Sequence, residues 1–258
     1  MASLSSPVNW ALDLRRGKCA EAKQLFFIEG RKAAIEAVQG SGVLRHAFMT
    51  SEAMSAASDL APLLTARGVA CSIVPERALA RLAHTRTPQG VVLIAERPHS
   101  AADNLVRARR ALAVYLDTIQ DPGNVGAVIR AAHALGATHV VCGGATADPF
   151  SPKSSRASAG AALAIPIVMD SVGSLPRRLR AAGYRLVAAE PAATSAPEDS
   201  LPLPPRTLLV LGSEGLGISP SVRELCHDAL RIPMTSGAES LNVGQAAAVI
   251  LYAWQRQR

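Results

Sequence analysis

Aromatic residues are scarce, with four Phe, two Trp and three Tyr among 258 positions. A sheet that reads single strands by stacking bases on several exposed rings needs more of them, so phosphate contact and shape are the modes left for a nucleic-acid partner. Long apolar runs are also missing. Stretches such as Ala246–Trp254 fall far short of the roughly 20 residues that span a bilayer, although mean hydropathy is +0.19. No membrane association is expected. The first residues, MASLSSPVNWALDLRRGK, lack a basic start followed by an apolar stretch, which argues against a secretory signal and for a cytoplasmic location. Cys19, Cys71, Cys142 and Cys226 lie too far apart for a zinc motif or a disulfide framework and read as buried, reduced thiols. The histidines, at 46, 84, 99, 133, 139 and 227, show no ligand spacing, and no metal is expected.

What the chain does have is apolar content and positive charge. At 49% hydrophobic, it can bury a core large enough for two modest domains or one larger one. Net charge is +7 and the isoelectric point is about 9.7, which suits a polyanionic partner. The excess is uneven. Residues 1–110 hold 15 Lys and Arg against 9 Asp and Glu, whereas residues 111–258 hold 12 against 11.

Hydrophobic patterning divides the chain. Residues 1–23 read as a flexible leader. Residues 24–96 alternate strand and helix: FFIEG from Phe26, a one-faced helix Arg31–Gln39, HAFMT from His46, a helix near Asp59–Ala66, VACSIV from Val69, another short helix, and GVVLIA from Gly90. That alternation predicts a small α/β domain. Residues 97–110 are polar and charged, the composition of a linker. Residues 111–258 alternate again, through ALAVYLD, a helix Gly126–Leu135, THVVCGG, a segment near Ser155–Leu163, YRLVAAE, TLLVLG, a helix near Val222, LRIPM and a final helix from Val243. Continuous apolar strands predict a buried, mostly parallel sheet, and the Pro-rich stretch 191–205 reads as a surface loop.

In such sheets ligands collect where strands end, which singles out three loops. After ALAVYLD, the sequence Asp121-Pro-Gly-Asn124-Val-Gly126 enters a helix carrying Arg130. An amide can orient a hydroxyl and a guanidinium fork suits phosphate; an N-cap and a solvated arginine are the alternative. After TLLVLG, Gly212-Ser213-Glu214-Gly215-Leu216-Gly217 packs three glycines around one carboxylate. No Lys-Ser/Thr follows and no G-x-G-x-x-G occurs at a strand-to-helix junction, which disfavours ATP and NAD. The third element runs from Ile232-Pro-Met234 through a polar stretch at 235–239 to Ser240-Leu241-Asn242-Val243-Gly244. Each loop alone reads equally well as capping or a tight turn. Three together predict a composite pocket.

These three segments, in this order, resemble the signature motifs of the SpoU-type (TrmH-like) RNA 2'-O-ribose methyltransferases of the SPOUT superfamily. The likeness covers about residues 112–255, and FFIEGRKAAIEAV with TRTPQGVVLIA resembles the substrate-binding domain that precedes the catalytic domain in many members. The resemblance implies a trefoil-knotted α/β catalytic domain, an exception to the unthreaded paths of most folds. It further implies a homodimer whose site borrows residues across the interface, and S-adenosyl-L-methionine as cofactor, held by Gly212, Ile232 and Leu241 with Leu211 and Met234 as neighbours. By motif position the catalytic residues are Asn124, Arg130, Glu214 and Asn242.

Transfer from an electrophilic methyl to a ribose hydroxyl needs chiefly alignment and the removal of one proton. Arg130 is the family's candidate for that proton. A neutral arginine is costly, so a phosphate anchor and stabiliser of the developing alkoxide is the preferred role, with base the alternative. Glu214 and Asn242 are expected to order loops and substrate. Arg156-Ala-Ser158-Ala-Gly160 resembles the family's R-x-S-x-G segment, making Arg156 and Ser158 candidate RNA contacts beside Arg31 and Lys32. Gly244 departs from the pattern, because family members usually carry Ser there. That departure supports a rival reading, a noncatalytic RNA-binding or ribosome-assembly factor. Ribosomal RNA is the expected partner, with transfer RNA the alternative.

Overall fold

Two sheets organise the chain in the computed structural model, which describes residues 6–56, 59–98, 100–197, 203–235 and 240–256. They belong to two units, one of residues 1–98 and 150–164, the other of residues 99–149 and 165–258. The first unit begins with α1 (Pro7–Arg15), β1 (Leu25–Glu29), α2 (Arg31–Gln39), β2 (Leu44–Met49), α3 (Ser51–Ala56), α4 (Leu60–Ala66), β3 (Cys71–Ile73), α5 (Glu76–Leu82) and β4 (Val91–Glu96). Its sheet has the order β1-β4-β2-β3, with β4 antiparallel to both neighbours and β3 parallel to β2. Gly30 turns β1 into α2 at φ +93°, where a Cβ would stand 2.8 Å from Gln89 Oε1. Only glycine combines that backbone with that clearance.

The leader is not loose where it is described. Pro7 occupies the first turn of α1 and Ser6 Oγ accepts from Asn9 N at 3.4 Å. Ala11, Leu12 and Leu14 join the core of Phe27, Phe48, Leu79, Leu82 and Ile94. The expectation over residues 1–23 is therefore corrected for α1. Nine residues are too few to be helical on their own, so their order comes from the docked face, which polar composition conceals. Residues 1–5 lie outside the described residues.

Glu29 ends β1 as a buried carboxylate. It accepts from His84 N at 2.7 Å, His84 Nδ1 at 3.0 Å, Thr85 N at 3.2 Å and Thr85 Oγ1 at 3.0 Å. Burial raises its pKa, but these hydrogen bonds outweigh burial and hold it down to about 2.

The second unit continues with α6 (Ala102–Arg107), β5 (Ala111–Asp117), α7 (Pro122–Ala134) and β6 (His139–Gly143); α8 (Pro152–Ser158) returns to the first unit. There Ser155 Oγ donates to Phe27 O at 2.8 Å, and Gly160, at φ +96°, lets the chain approach α2, where a Cβ would lie 3.0 Å from Ala33 O. The path resumes with β7 (Ile167–Asp170), α9 (Leu175–Ala181), β8 (Arg185–Ala189), β9 (Arg206–Gly212), α10 (Pro220–Arg223), β10 (Asp228–Leu230) and α11 (Val243–Gln255). The sheet order is β10-β8-β9-β5-β6-β7 and every pairing is parallel.

One face packs Ala111, Ala113, Tyr115, Leu208 and Val210 against Leu105, Leu175, Leu179 and Val222 of the helices. No residue of α7 or α11 belongs to that cluster; those two pack on each other and meet the sheet at β6 and β9. The strands are thus covered on both faces, as their continuous apolar runs require.

Three expectations change. The linker contains α6, whose Leu105 is fully buried and whose Leu105 carbonyl accepts from Tyr184 Oη at 2.6 Å. β10 ends at Leu230, so Ile232-Pro233-Met234 is not strand; Pro233 has no N–H for a ladder. β7 and α9 are elements that patterning did not single out. Of the Pro-rich stretch and the polar stretch at 235–239, residues 198–202 and 236–239 lie outside the described residues. Among the described residues no helix is long and apolar enough to cross a membrane.

Candidate active site

Strand register brings the three loops together. Asp117 of β5 stands beside Gly212 of β9, Leu211 beside Ala189 of β8, and Ala189 beside Leu230 of β10. All four strands therefore release their loops at one edge of the sheet. Buried Asp117 ties two of these loops, accepting from Ser219 N at 2.7 Å.

The loop after β9 closes on itself, with Ser213 N donating to Gly217 O at 3.0 Å and Gly217 N to Ser213 O at 2.8 Å. Gly212 fits because it has no side chain, since a Cβ there would lie 2.2 Å from the Gly217 carbonyl carbon. The turn projects Glu214 toward two amides. Asn124 Nδ2 donates to Glu214 Oε1 at 2.8 Å, Asn242 Nδ2 donates to the same oxygen at 2.9 Å and to Asn124 Oδ1 at 2.8 Å.

Both amides sit at helix starts. Asp121 caps α7 by accepting from Gly123 N and Asn124 N at 2.6 and 3.1 Å, and Asn242 caps α11 by accepting from Gly244 N at 2.9 Å. Asn242 thereby commits its Oδ1 and both its N–H bonds. Among the described residues, Glu214 Oε2 and one N–H of Asn124 have no further partner. Three of the four residues assigned to catalysis are in one hydrogen-bonded group.

Glu214 also lines a cavity of about 490 Å³, together with Leu211, Gly212, Ile232, Met234 and Leu241. Every residue assigned to the cofactor by motif position is on this wall. The volume lies within the roughly 300–1,000 Å³ of small-molecule sites. Val243 and Ile250 add apolar surface, and Glu190 adds a second carboxylate. Arg223 Nε lies 3.0 Å from both Glu190 oxygens, which fixes that carboxylate and pushes the arginine pKa upward. Sequence reading passed over Glu190, whose only signal was its place at the end of β8.

Arg130 stands apart from the amide group. It is exposed on α7 and, among the described residues, has no hydrogen bond or ion pair. Six residues of helix set it about 120° around the axis from Asn124 and nearly two turns further on, so the two do not face one ligand in a single chain. In the first unit, Arg156 is partly exposed with its guanidinium 3.9 Å from Glu29 Oε1. Ser158 is buried and donates to Ser155 O at 2.9 Å, so its hydroxyl serves the end of α8 and does not face RNA. Arg31 pairs with Asp59 at 2.8 Å, and Lys32 is exposed.

Gly244 sits where α11 packs on α7. A Cβ there would lie 2.7 Å from Ala127 Cβ and 3.2 Å from Asn242 Oδ1. The departure from Ser therefore has a local cause, since the neighbouring alanine already fills the space.

The fold and this site define an α/β domain with a pocket formed by the loops that leave β8, β9 and β10 and by the start of α11. The family model described as "SpoU rRNA Methylase family" matches residues 111–252, and that described as "RNA 2'-O ribose methyltransferase substrate binding" matches residues 27–101. The chain belongs to the SpoU rRNA methylase family. It is 33% identical over 227 residues to a 23S rRNA (guanosine(2553)-2'-O)-methyltransferase of Bacillus subtilis, covering 88% of this chain and 87% of that one. To a 23S rRNA (uridine(2479)-2'-O)-methyltransferase of Streptomyces viridochromogenes it is 34% identical, covering 76% and 70%. Among solved structures, an AdoMet-bound rRNA methyltransferase from Sinorhizobium meliloti superposes with a TM-score of 0.81 at 29% identity, over 100% of this chain and 97% of that one.

Proposed function

We propose that the protein transfers a methyl group from S-adenosyl-L-methionine to a ribose 2'-hydroxyl of ribosomal RNA, acting in the cytoplasm as a homodimer with the knotted path of its family. The observation that carries this reading is the Asn124–Glu214–Asn242 group, whose Glu214 also lines the cavity.

The cavity suits the cofactor chemically. Leu211, Ile232, Leu241 and Ile250 offer an apolar slot for a purine, and the turn at 212–217 brings backbone polar groups to its edge. Glu190, already oriented by Arg223, is placed to accept from ribose hydroxyls. Glu214 contributes negative charge toward a cation. When bound, the cofactor supplies an electrophilic methyl on a sulfonium.

The chain's own residues align the acceptor. Glu214 Oε2 and the uncommitted N–H of Asn124 orient the 2'-hydroxyl, and Asn242 holds both in register by bonding to each. Arg130, directed away from this group in its own chain, serves the site of the partner protomer. There it anchors a phosphate and stabilises the developing alkoxide, while the proton passes to phosphate or water.

Purified protein incubated with methyl-labelled S-adenosyl-L-methionine and unmodified total RNA tests the reading. Label in one 2'-O-methyl nucleoside of ribosomal RNA is expected. Label in transfer RNA would move the substrate, and binding of cofactor without label in any RNA would favour an assembly factor. Arg130→Ala that left single-turnover transfer unchanged would remove the role given to Arg130.

A further inference from the structure

Outside the candidate active site, the first unit holds a second concavity, and it is lined by arginine. Arg15 and Arg16 at the end of α1, Arg81 in the last turn of α5, and Leu12 between them enclose about 360 Å³. Among the described residues no acidic side chain lines it. Arg15 has a structural task, because its guanidinium donates to Arg81 O at the end of α5. Arg16 and Arg81 have none: among the described residues their side chains make no hydrogen bond or ion pair, although both are exposed.

Some surface arginines find carboxylates, as Arg31 does with Asp59, Arg45 with Glu96 and Arg185 with Asp228; Arg16 and Arg81 do not, and they share one concavity. Here the packing of α1 on α5 brings three arginines to one concavity with no acidic residue among its described lining. Lys18 follows Arg16 by two residues, and Arg77 lies one turn before Arg81 on α5, so the positive surface extends in both directions. Like charges held together cost free energy unless an anion joins them. Arginine forks match phosphate geometry.

We propose that this concavity binds the phosphate backbone of the RNA substrate, with Arg81 inside the domain matched at residues 27–101 and Arg15 and Arg16 at the end of α1 adding a contact from outside it. The choice of RNA rests on the proposed function, on the charge excess of residues 1–110, and on the scarcity of rings that leaves phosphate as the mode of contact. The contact is sequence-independent and strengthens binding without touching the reacting atoms.

The test uses the full chain with ribosomal RNA, comparing wild type with Arg16→Glu/Arg81→Glu and with the milder Arg16→Ala/Arg81→Ala. Neither side chain holds the fold together, so melting curves should coincide. RNA Kd is expected to rise about tenfold or more, with the salt dependence of log K losing a slope of about 1 for each phosphate contact removed. Transfer at saturating RNA and cofactor affinity should stay unchanged. An unaltered Kd and slope in both variants overturns the inference. Wild-type protein that binds RNA but transfers no methyl would refute the enzymatic reading alone, since the loss of binding in the variants is read separately.

Discussion

Asn124 and Asn242 stand 118 residues apart in the chain, yet their side-chain amides are hydrogen-bonded at 2.8 Å, and both donate to one oxygen of Glu214. Asn242 serves two ends at once, because its Oδ1 also caps α11. The two duties separate by substitution.

Asn242→Asp keeps an oxygen for the cap but sets a second carboxylate against Glu214. Stability should change little, while single-turnover methyl transfer falls about 100-fold or more, a loss of the size seen when one positioning donor is removed. Asn242→Ala should also lose about 1 kcal/mol of stability through the missing cap. Parallel denaturation and rapid-quench measurements decide it; equal activity in the Asp variant and wild type would sink the assignment.

Gly244→Ser restores the residue usual in the family but drives a Cβ to within 2.7 Å of Ala127 Cβ. Overpacking of this kind costs about 1–3 kcal/mol. Ala127→Gly in the same chain should recover most of that loss, although glycine within a helix itself costs up to about 1 kcal/mol. A double-mutant cycle in urea measures the coupling, and additive effects would show that the two positions do not compensate.

Gly212→Ala forces its Cβ into the Gly217 backbone, which lies 2.2 Å away. The turn that carries Glu214 must move, so cofactor affinity measured by calorimetry should drop more than tenfold. Gly215→Ala, where a Cβ meets nothing within 4 Å, is the control expected to bind normally.

Glu29 predicts a pH dependence in the first unit. Its folded pKa, about 2, lies below its ordinary value of 4.5 because the hydrogen bonds from His84 and Thr85 outweigh burial. A depressed carboxylate stabilises the fold above its unfolded pKa, so this contribution is complete by about pH 6 and fades as pH falls from about 5 toward 2. Glu29→Gln should flatten that part of the stability profile. A wild-type slope that survives in the variant would place its origin elsewhere.

Much of the second unit was legible before any coordinates. ALAVYLD coincides with β5 (Ala111–Asp117), and α11 starts at Val243 behind the Asn242 cap. Continuous apolar strands and Asp or Asn before a helix are local signals, and local signals are what a sequence exposes. Gly212 and the helix start at Asn242 were readable for the same reason, whereas α7 begins at Pro122, four residues ahead of the start read at Gly126. The resemblance of the three loops to one family then named the residues of the site.

Tertiary structure decided what depends on distant neighbours. The meeting of Asn124, Glu214 and Asn242 follows from the order β8-β9-β5 and its register, which no residue announces by itself. The docking of α1, and with it the arginine-lined concavity, depends on the hydrophobic face offered by α5 and the first sheet. Ser158, identified by a motif, is claimed by the carbonyl of Ser155, and Arg130 is turned away from its motif partner by the pitch of α7. Sequence determined which groups are present and which helices and turns they start; packing determined which groups face one another, because burial and hydrogen bonding act between residues that the chain itself keeps far apart.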